Sequence, residues 1–172
     1  MENSIIQTFI TTIDTLILHP CNFELSKLLP ESESKEYAAH TFKIGTFNVK
    51  FRIAKITPTK TGQFVTLWKR NTNGLTESHH IKDNFEFYII GTKKDNLMGV
   101  FIFPKSVLFL NKILSDENNK GKNGFRVYPS WDLAENKQAL KTQIWQSKYF
   151  VKLTENELID YGMIKSILSV YP

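Results

Sequence analysis

The amino-acid sequence predicts a mixed α+β fold of the α/β class, in which helices flank a central, mainly antiparallel or mixed sheet of five to six strands. Apolar residues recur at helical spacing near the N-terminus and again after residue 136. Between residues 42 and 103 they alternate with polar residues, as in strands. The length of 172 residues, with 41% apolar content, suffices for one compact core and is short for two.

An amphipathic helix is the first predicted element, within residues 1–20. Its apolar side chains share one helical face: Ile5, Ile6, Phe9, Ile10, Ile13, Leu16 and Ile17. The segment contains Asp14 and neither lysine nor arginine. This composition disfavours a signal peptide and a membrane-surface helix, so we expect the helix to pack on the core and the protein to bind no membrane.

Strands are predicted next, beginning with a hairpin over residues 42–53. Its turn contains Gly45, because glycine readily adopts the positive φ of a tight turn. The same alternation and the flanking turn residues predict four more strands, at residues 63–68, 84–90, 100–103 and 125–129.

Helices are predicted over residues 105–110, over 136–150 and from Glu155 onward. In the second of these, Leu140, Ile144, Trp145 and Tyr149 are expected to point inward. The chain then forms a single domain over residues 1–172. Its parts are N-terminal helices at 1–30, a core at 40–150 and C-terminal helices at 153–172.

Charge is unevenly distributed along the chain, whose formal net charge is +5. Residues 1–34 contain five acids and one lysine, whereas residues 35–70 contain eight lysines or arginines and one glutamate. A second basic stretch spans residues 120–148. If both stretches lie on one face, they form an electropositive surface suited to a phosphate backbone. The alternative is a set of solvated polar strand faces.

Sequence motifs of common enzyme classes are absent, including G-x-S-x-G, GxGxxG, Walker A, HExxH and the EF-hand. The adjacent His79 and His80 would point to opposite faces of a strand, so no metal site is predicted there. The single cysteine, Cys21, excludes an internal disulfide and a cysteine-based zinc cluster. We therefore expect a cytoplasmic protein without a cofactor.

Four blocks of the sequence carry a resemblance to a known family: AKITPTKTGQFVTLWKR (54–70), GVFIFPKSVL (99–108), GFRVYPSWD (124–132) and ALKTQIWQ (139–146). In order and spacing they resemble the MepB family of small bacterial proteins, over about residues 30–150. The resemblance implies a restriction-endonuclease-like core and a role in nucleic-acid binding. The family name comes from a gene beside an efflux pump, but this chain has no spanning segment and is not expected to transport.

The nuclease chemistry of that core can be compared with this sequence residue by residue. Such enzymes place one acid on a strand and an acid-x-Lys triplet on the next, so that two carboxylates hold Mg²⁺. Glu86 and Lys105 match, but Phe103 occupies the position of the second acid, which Glu117 or Glu36 could supply instead. The simpler interpretation is a protein that binds nucleic acid without cutting it. The alternative is a Mg²⁺-dependent nuclease that uses Glu86 and Lys105.

The predicted turn at Pro58 and Gly62 gathers cations and hydroxyls at one edge of a sheet, where they could hold a phosphate. Alternatively, the hydroxyls of this turn satisfy its own backbone and its lysines are solvated. Together with the basic stretches, this turn predicts the nucleic-acid- or anion-binding residues Arg52, Lys55, Thr57, Thr59, Lys60, Gln63, Trp68, Lys69, Arg70, Lys105, Arg126, Tyr128, Trp131 and Lys141.

Nucleic acid is the expected partner, DNA ahead of RNA, and no stable protein partner is inferred. Trp68 lies beside two cations, where an indole could stack on an unpaired base. An accessory protein that binds an anionic small molecule or an anionic protein is the remaining alternative.

Overall fold

The computed structural model describes residues 2–153 and 158–169. Its α-helices in these ranges are α1 (Glu2–Ile13), α2 (Lys105–Leu110), α3 (Lys137–Gln146) and α4 (Tyr161–Leu168). Its strands are β1 (Leu29–Pro30), β2 (His40–Ile44), β3 (Phe47–Ile53), β4 (Lys55–Thr57), β5 (Lys60–Thr66), β6 (Trp68–Arg70), β7 (Thr76–Ser78), β8 (Phe87–Lys94), β9 (Leu97–Pro104), β10 (Gly124–Val127) and β11 (Phe150–Lys152).

A six-stranded sheet in the order β1-β2-β3-β8-β9-β11 forms the centre of the fold. Strands β3 and β8 are parallel, and the other neighbours in this sheet are antiparallel. The predicted mixed α+β class, with a central sheet of five to six strands flanked by helices, is confirmed. The hairpin at Gly45 is also confirmed, since Ile44 pairs with Phe47 across it and Gly45 has a φ of +55°.

Two of the predicted strands lie outside the central sheet. Strand β5 pairs with β4 and β10 in a separate three-stranded sheet, and β6 pairs with β7 in a two-stranded one. The chain leaves the central sheet at Ala54, whose N–H still donates to the Gly91 carbonyl at 2.9 Å. The two layers are joined by Tyr88 on β8, whose buried hydroxyl donates to the Thr66 carbonyl on β5 at 2.6 Å.

Each face of the central sheet is covered by its own apolar core. On β8, Phe87 and Ile89 pack with α1 and α4 in a first core, whereas Tyr88 and Ile90 pack in a second core with the three-stranded sheet and α2. Successive side chains of a strand point to opposite faces, so a strand buried on both faces becomes an uninterrupted apolar run.

The N-terminal helix is confirmed, but its predicted apolar face is wrong at one position. Ile13 and Ile17 are fully buried, whereas Leu16 is 37% exposed and Leu18 is buried in its place. The cause is the wider π-helical turn Asp14–Leu18, which delays by one residue the return of the chain to the buried face.

The predicted inward face of the helix at 136–150 is wrong for Leu140 and Ile144, which are 50% and 57% exposed. The buried Gln146 determines the orientation of α3, because its side chain accepts from the Tyr128 N–H and donates to the Arg126 carbonyl. The helix also ends earlier than predicted, since Phe150 already belongs to β11. A polar side chain that satisfies the backbone of β10 therefore takes the place of the predicted apolar contacts.

At the C-terminus, α4 begins after Asp160, whose carboxylate accepts from the Met163 N–H at 2.9 Å. The predicted helix start at Glu155 lies outside the described residues. Within the described ranges, every helix is too short or too polar to cross a membrane.

Substitution of the N-terminal helix tests the π-helical turn. We expect Ile17→Ala to lower the free energy of unfolding by about 2–5 kcal/mol, because it empties a fully buried site. The neighbouring Leu16→Ala should cost under about 1 kcal/mol, as surface substitutions do. Urea denaturation of both variants decides the point, and equal losses would contradict the turn.

Candidate nucleic-acid interface

The outer face of the three-stranded sheet carries a row of cationic and aromatic side chains. Lys55 on β4 pairs with Phe64 on β5, and Phe64 pairs with Arg126 on β10, so the three lie side by side across the strands. Their chain neighbours Val65 and Val127 point the other way and are buried in the second core. Lys55 is exposed, and Phe64 and Arg126 are half-buried.

Rings and cations contact each other in this row. The Lys55 Nζ atom lies 5.1 Å from the centre of the Tyr37 ring, and Tyr37 meets Phe64 edge to face with 6.2 Å between ring centres. The Arg126 guanidinium carbon lies 6.0 Å from the centre of the Phe64 ring. Tyr37 reaches the sheet from the 3₁₀ turn Lys35–Tyr37. We call Tyr37, Lys55, Phe64 and Arg126 the cation–aromatic face.

The hairpin between β4 and β5 adjoins this face and is held by Arg126. The guanidinium donates to the Gly62 carbonyl at 2.9 Å and to the Thr57 hydroxyl oxygen at 2.7 Å. Gly62 has a φ of +79°, and a Cβ there would lie 2.6 Å from the Tyr128 ring, so glycine is required. The Thr57 hydroxyl thus supports the hairpin through Arg126. As a result, the hairpin and the cation–aromatic face form one surface.

A shallow cavity of about 290 Å³ lies at the tip of the hairpin. It is lined by exposed Thr59 and Lys60 of the hairpin and by Lys94, Asp132 and Glu135 from other segments. Lys94 and Asp132 form an ion pair of 3.4 Å. The tip therefore has mixed charge and is less electropositive than its lysines alone would make it.

A second cavity of about 290 Å³ extends the cation–aromatic face towards α3. Lys122, Arg126, Gln138, Thr142 and Trp145 are among the residues that line it. On the same helix Lys141 is exposed. The basic stretch at 120–148 and the stretch at 35–70 thus meet at Arg126, which borders both the hairpin and this cavity.

Three predicted cations have acidic partners within the protein. Arg52 forms an ion pair with Glu31, Lys69 with Asp83 at 2.6 Å, and Arg70 with Glu33 at 3.0 Å. Two of these acids come from the acidic stretch 1–34, which folds back onto the basic strands. The separation of charge along the sequence is therefore partly cancelled in space.

Arg52 belongs to a buried charge cluster on the second face of the central sheet. Its side chain is 1% exposed, and the Glu31 carboxylate that it contacts also accepts from Lys50 at 2.5 Å. Burial alone would raise the pKa of the Glu31 carboxyl, but the charges of Arg52 and Lys50 outweigh it and hold that pKa below its usual range. The cluster stabilises a buried cation and leaves Arg52 little access to a ligand.

Next to this cluster, His79 and Asp83 form a second buried polar contact. His79 Nδ1 lies 2.7 Å from Asp83 Oδ2, and the imidazole meets Phe85 edge to face. Burial, followed by the nearby charge of Lys50, lowers the pKa of His79 from 6.5 to about 4, against the opposing effect of Asp83. The imidazole is therefore neutral at physiological pH.

The two predicted catalytic residues have separate partners in the structure. Glu86 lies just before β8, and its carboxylate accepts from the Asn48 N–H at 2.7 Å. The Lys105 ammonium donates to the Asp83 carbonyl at 3.0 Å. Phe103, at the position of the second acid, is fully buried. Among the described residues, no group of three or more acids, histidines or cysteines could hold a metal ion.

In the part of the chain that the structure describes, Glu117 and Glu36, the two acids that could replace the missing carboxylate at position 103, make no contact with Glu86 or Lys105 that would complete a Mg²⁺ site. Glu117 is exposed and forms an ion pair of 2.5 Å with Lys82. Glu36 is exposed on the 3₁₀ turn that carries Tyr37. The residues present around Glu86 and Lys105 therefore do not fit a two-carboxylate metal centre.

Three further predicted residues lie on β5, on β6 and in the loop after β10. Gln63 is 1% exposed and donates to the Lys93 carbonyl at 3.4 Å. Trp131 packs edge to face on Phe150 with 5.3 Å between ring centres. Trp68 is half-buried on β6, and the Arg70 guanidinium carbon lies 5.4 Å from the centre of its ring. A role in binding stays a prediction for these side chains.

Sequence reasoning missed the two aromatic residues of the cation–aromatic face. The strand predicted over residues 63–68 includes Phe64, and the alternation that buries Val65 and Leu67 directs its ring to the opposite face of the sheet. Tyr37 lies in a stretch whose composition indicates only a turn. The strand period could have identified Phe64, whereas Tyr37 reaches this face only through tertiary packing.

Comparison with known proteins gives two kinds of match. A family model described as MepB-like matches residues 31–152. A crystal structure of MepB is similar, at 36% sequence identity and a TM-score of 0.74, over 78% of this chain and 89% of that chain. A bacterial homing endonuclease, I-Ssp6803I, matches at 10% identity and a TM-score of 0.43, over 80% and 82% of the two chains. No curated protein matches. The first two matches confirm the family resemblance and fold class predicted from the sequence.

The buried His79 gives a pH prediction for stability. Its pKa is lower in the folded protein, about 4 against 6.5, so the unfolded chain binds more protons between these values and stability falls as the pH drops through this window. We expect unfolding at pH 5 to require about 2 kcal/mol less than at pH 7.5 because of this group.

Urea denaturation of the wild type and of His79→Gln at both pH values measures the effect. The variant has no group that titrates at this position, so most of the difference should disappear. An unchanged difference in the variant would contradict the role of His79.

Proposed function

The chain belongs to the MepB-like family, and on that premise we propose that it binds nucleic acid through the cation–aromatic face and the adjoining hairpin. The observation that carries the proposal is the alternation of cations and rings across β4, β5 and β10. Lysine and arginine contact phosphates, and flat rings stack on bases whatever their identity.

The charge of this surface supports the same function. Within residues 2–153 and 158–169, Lys55, Lys60 and Arg126 form no ion pair, whereas Lys69 and Arg70 do. The exposed Glu36, next to Tyr37 in the chain, and the exposed Glu135 at the hairpin tip are acids that a phosphate backbone would have to avoid. Binding to a phosphate backbone would therefore release counterions mainly at the outer face of the three-stranded sheet, and less at β6.

The rings of the face favour a strand with unpaired bases. Phe64 is half-buried and absent from both apolar cores, so part of its ring faces solvent without being needed for core packing. A duplex hides the faces of its bases, whereas a single strand presents them to such a platform. DNA is the expected nucleic acid.

We further propose that binding occurs without cleavage. The Glu86 carboxylate accepts a backbone N–H, the Lys105 ammonium donates to a backbone carbonyl, and Phe103 replaces the second acid. A two-carboxylate site for Mg²⁺ is the requirement that these residues do not meet.

Fluorescence anisotropy with labelled single-stranded DNA, duplex DNA and RNA of one sequence tests the proposal. Affinity for single strands should fall with salt, with a slope of about −2 in log–log form if three phosphates are contacted. The double variant Lys55→Ala/Lys60→Ala should reduce that slope by about 1 or more. Phe64→Ala should weaken binding to single strands by about 1–3 kcal/mol and leave the slope unchanged.

Lys82→Ala is the matched control, because Lys82 is an exposed lysine already paired with Glu117. It should bind as the wild type does, and the labelled strand should remain intact with Mg²⁺ present. Binding without a salt slope, or equal affinities for the double variant and the control, would contradict the interface. Cleavage that requires Glu86 would contradict the absence of nuclease chemistry.

A further inference from the structure

A larger cavity, of about 560 Å³, opens on the central sheet beside β1, β2 and β3. Six of the residues that line it determine its chemistry: Lys27, Leu29, Thr41, Lys43, Lys50 and Phe85. It shares no residue with the cation–aromatic face or with the hairpin. We call this cavity the Lys43 groove.

The groove exists because the second layer covers only part of the sheet. The second core takes its central-sheet residues from β8 and β9, and Ala54 joins it just after β3 ends. Thr41 on β2 pairs with Lys50 on β3, so these side chains and Lys43 point to the same face, opposite Phe42 and Val49. With only two residues, β1 is too short to close this side.

The charge of the groove has one sign. Three of its lining residues are lysines, and none is an aspartate or a glutamate. The Lys50 ammonium is occupied by Glu31 at 2.5 Å, but Lys27 and Lys43 are exposed and in no ion pair within the described part of the chain. Two hydrogen bonds between Ser26 and Lys43, of 2.7 and 2.9 Å, hold the segment with Lys27 beside β2.

The body of the groove is apolar. Leu29 is 54% exposed although it is a large hydrophobic residue, and Phe85 lies buried at the wall. The lysines add the methylene stems of their side chains. At one end, Asn48 donates to the Asn84 side-chain oxygen at 3.2 Å, which leaves the Asn84 amide group as a donor for a ligand.

We propose that the Lys43 groove binds a small organic anion with an apolar body, of the class of alkyl carboxylates. The apolar body packs against Leu29 and the lysine stems, and the carboxylate lies between the Lys27 and Lys43 ammonium groups. The volume lies within the range of about 300–1,000 Å³ typical of small-molecule sites. A nucleotide fits less well, because the two aromatic residues in the lining, Phe42 and Phe85, are only 3% and 1% exposed and offer no face for stacking.

Calorimetric titration of the full chain with octanoate, 1-octanol and octylammonium tests this site. Octanoate should bind at least tenfold more tightly than octanol, and octylammonium should show no binding. The double variant Lys27→Met/Lys43→Met keeps the apolar stems and removes both charges. It should weaken octanoate binding tenfold or more without changing the affinity for octanol.

Lys148→Met is the control, since Lys148 is an exposed lysine outside the groove. It should bind octanoate as the wild type does. Backbone amide shifts on octanoate addition should be largest at Thr41, Lys43 and Leu29. Equal affinity for octanoate and octanol, an unaffected double variant, or tighter binding of adenosine monophosphate at the same residues would overturn the proposal. Nucleic-acid binding uses other residues, so its outcome is independent.

Discussion

The contact between Glu31 and the two cations Lys50 and Arg52 is the constraint on which much of the remaining structure depends. Arg52 points into the protein from near the end of β3 and is 1% exposed, so its charge requires a partner. That partner comes from the segment before β2, which must therefore fold across the second face of the sheet. The same segment then places Glu33 on Arg70, the Ser34 hydroxyl on Thr66 and the Tyr37 ring on Phe64.

This folding back distinguishes two groups among the basic residues predicted to bind an anion. Arg52, Lys69 and Arg70 have their charges balanced by internal acids, and they hold the layers together. Lys55, Lys60 and Arg126 stay outside that network on the three-stranded sheet. In the proposed interface, only cations without an internal acidic partner have charge available for phosphates, so the net positive charge of the chain overstates the charge of this surface.

The periodicity of apolar residues predicted where the helices and strands lie better than which face of each element is buried. The N-terminal helix, the Gly45 hairpin and the four inner strands of the central sheet follow from local patterns. The edge strands β1 and β11, the π-helical turn after Ile13 and the inward Gln146 depend on tertiary contacts that no window of sequence contains. The candidate site shows the same limit. The turn at Pro58 and Gly62 and the basic stretches predict Lys55 and Arg126 as binding residues, but their alignment with Phe64 depends on strand register. The place of Tyr37 depends on the position of Glu31.

The brevity of β1 has a consequence for self-association. An edge strand offers free N–H and C=O groups to a second chain, and long flat edges are templates for aggregation. Here the outer edge of the sheet ends in two residues, one of which is Pro30 and has no N–H to donate. The neighbouring strand β2 is met by β1 at one end and by the Leu25 bridge to Ile44 at the other. The short strand β1 thus leaves the Lys43 groove open, and it also offers a second copy of the chain few backbone groups with which to extend the sheet.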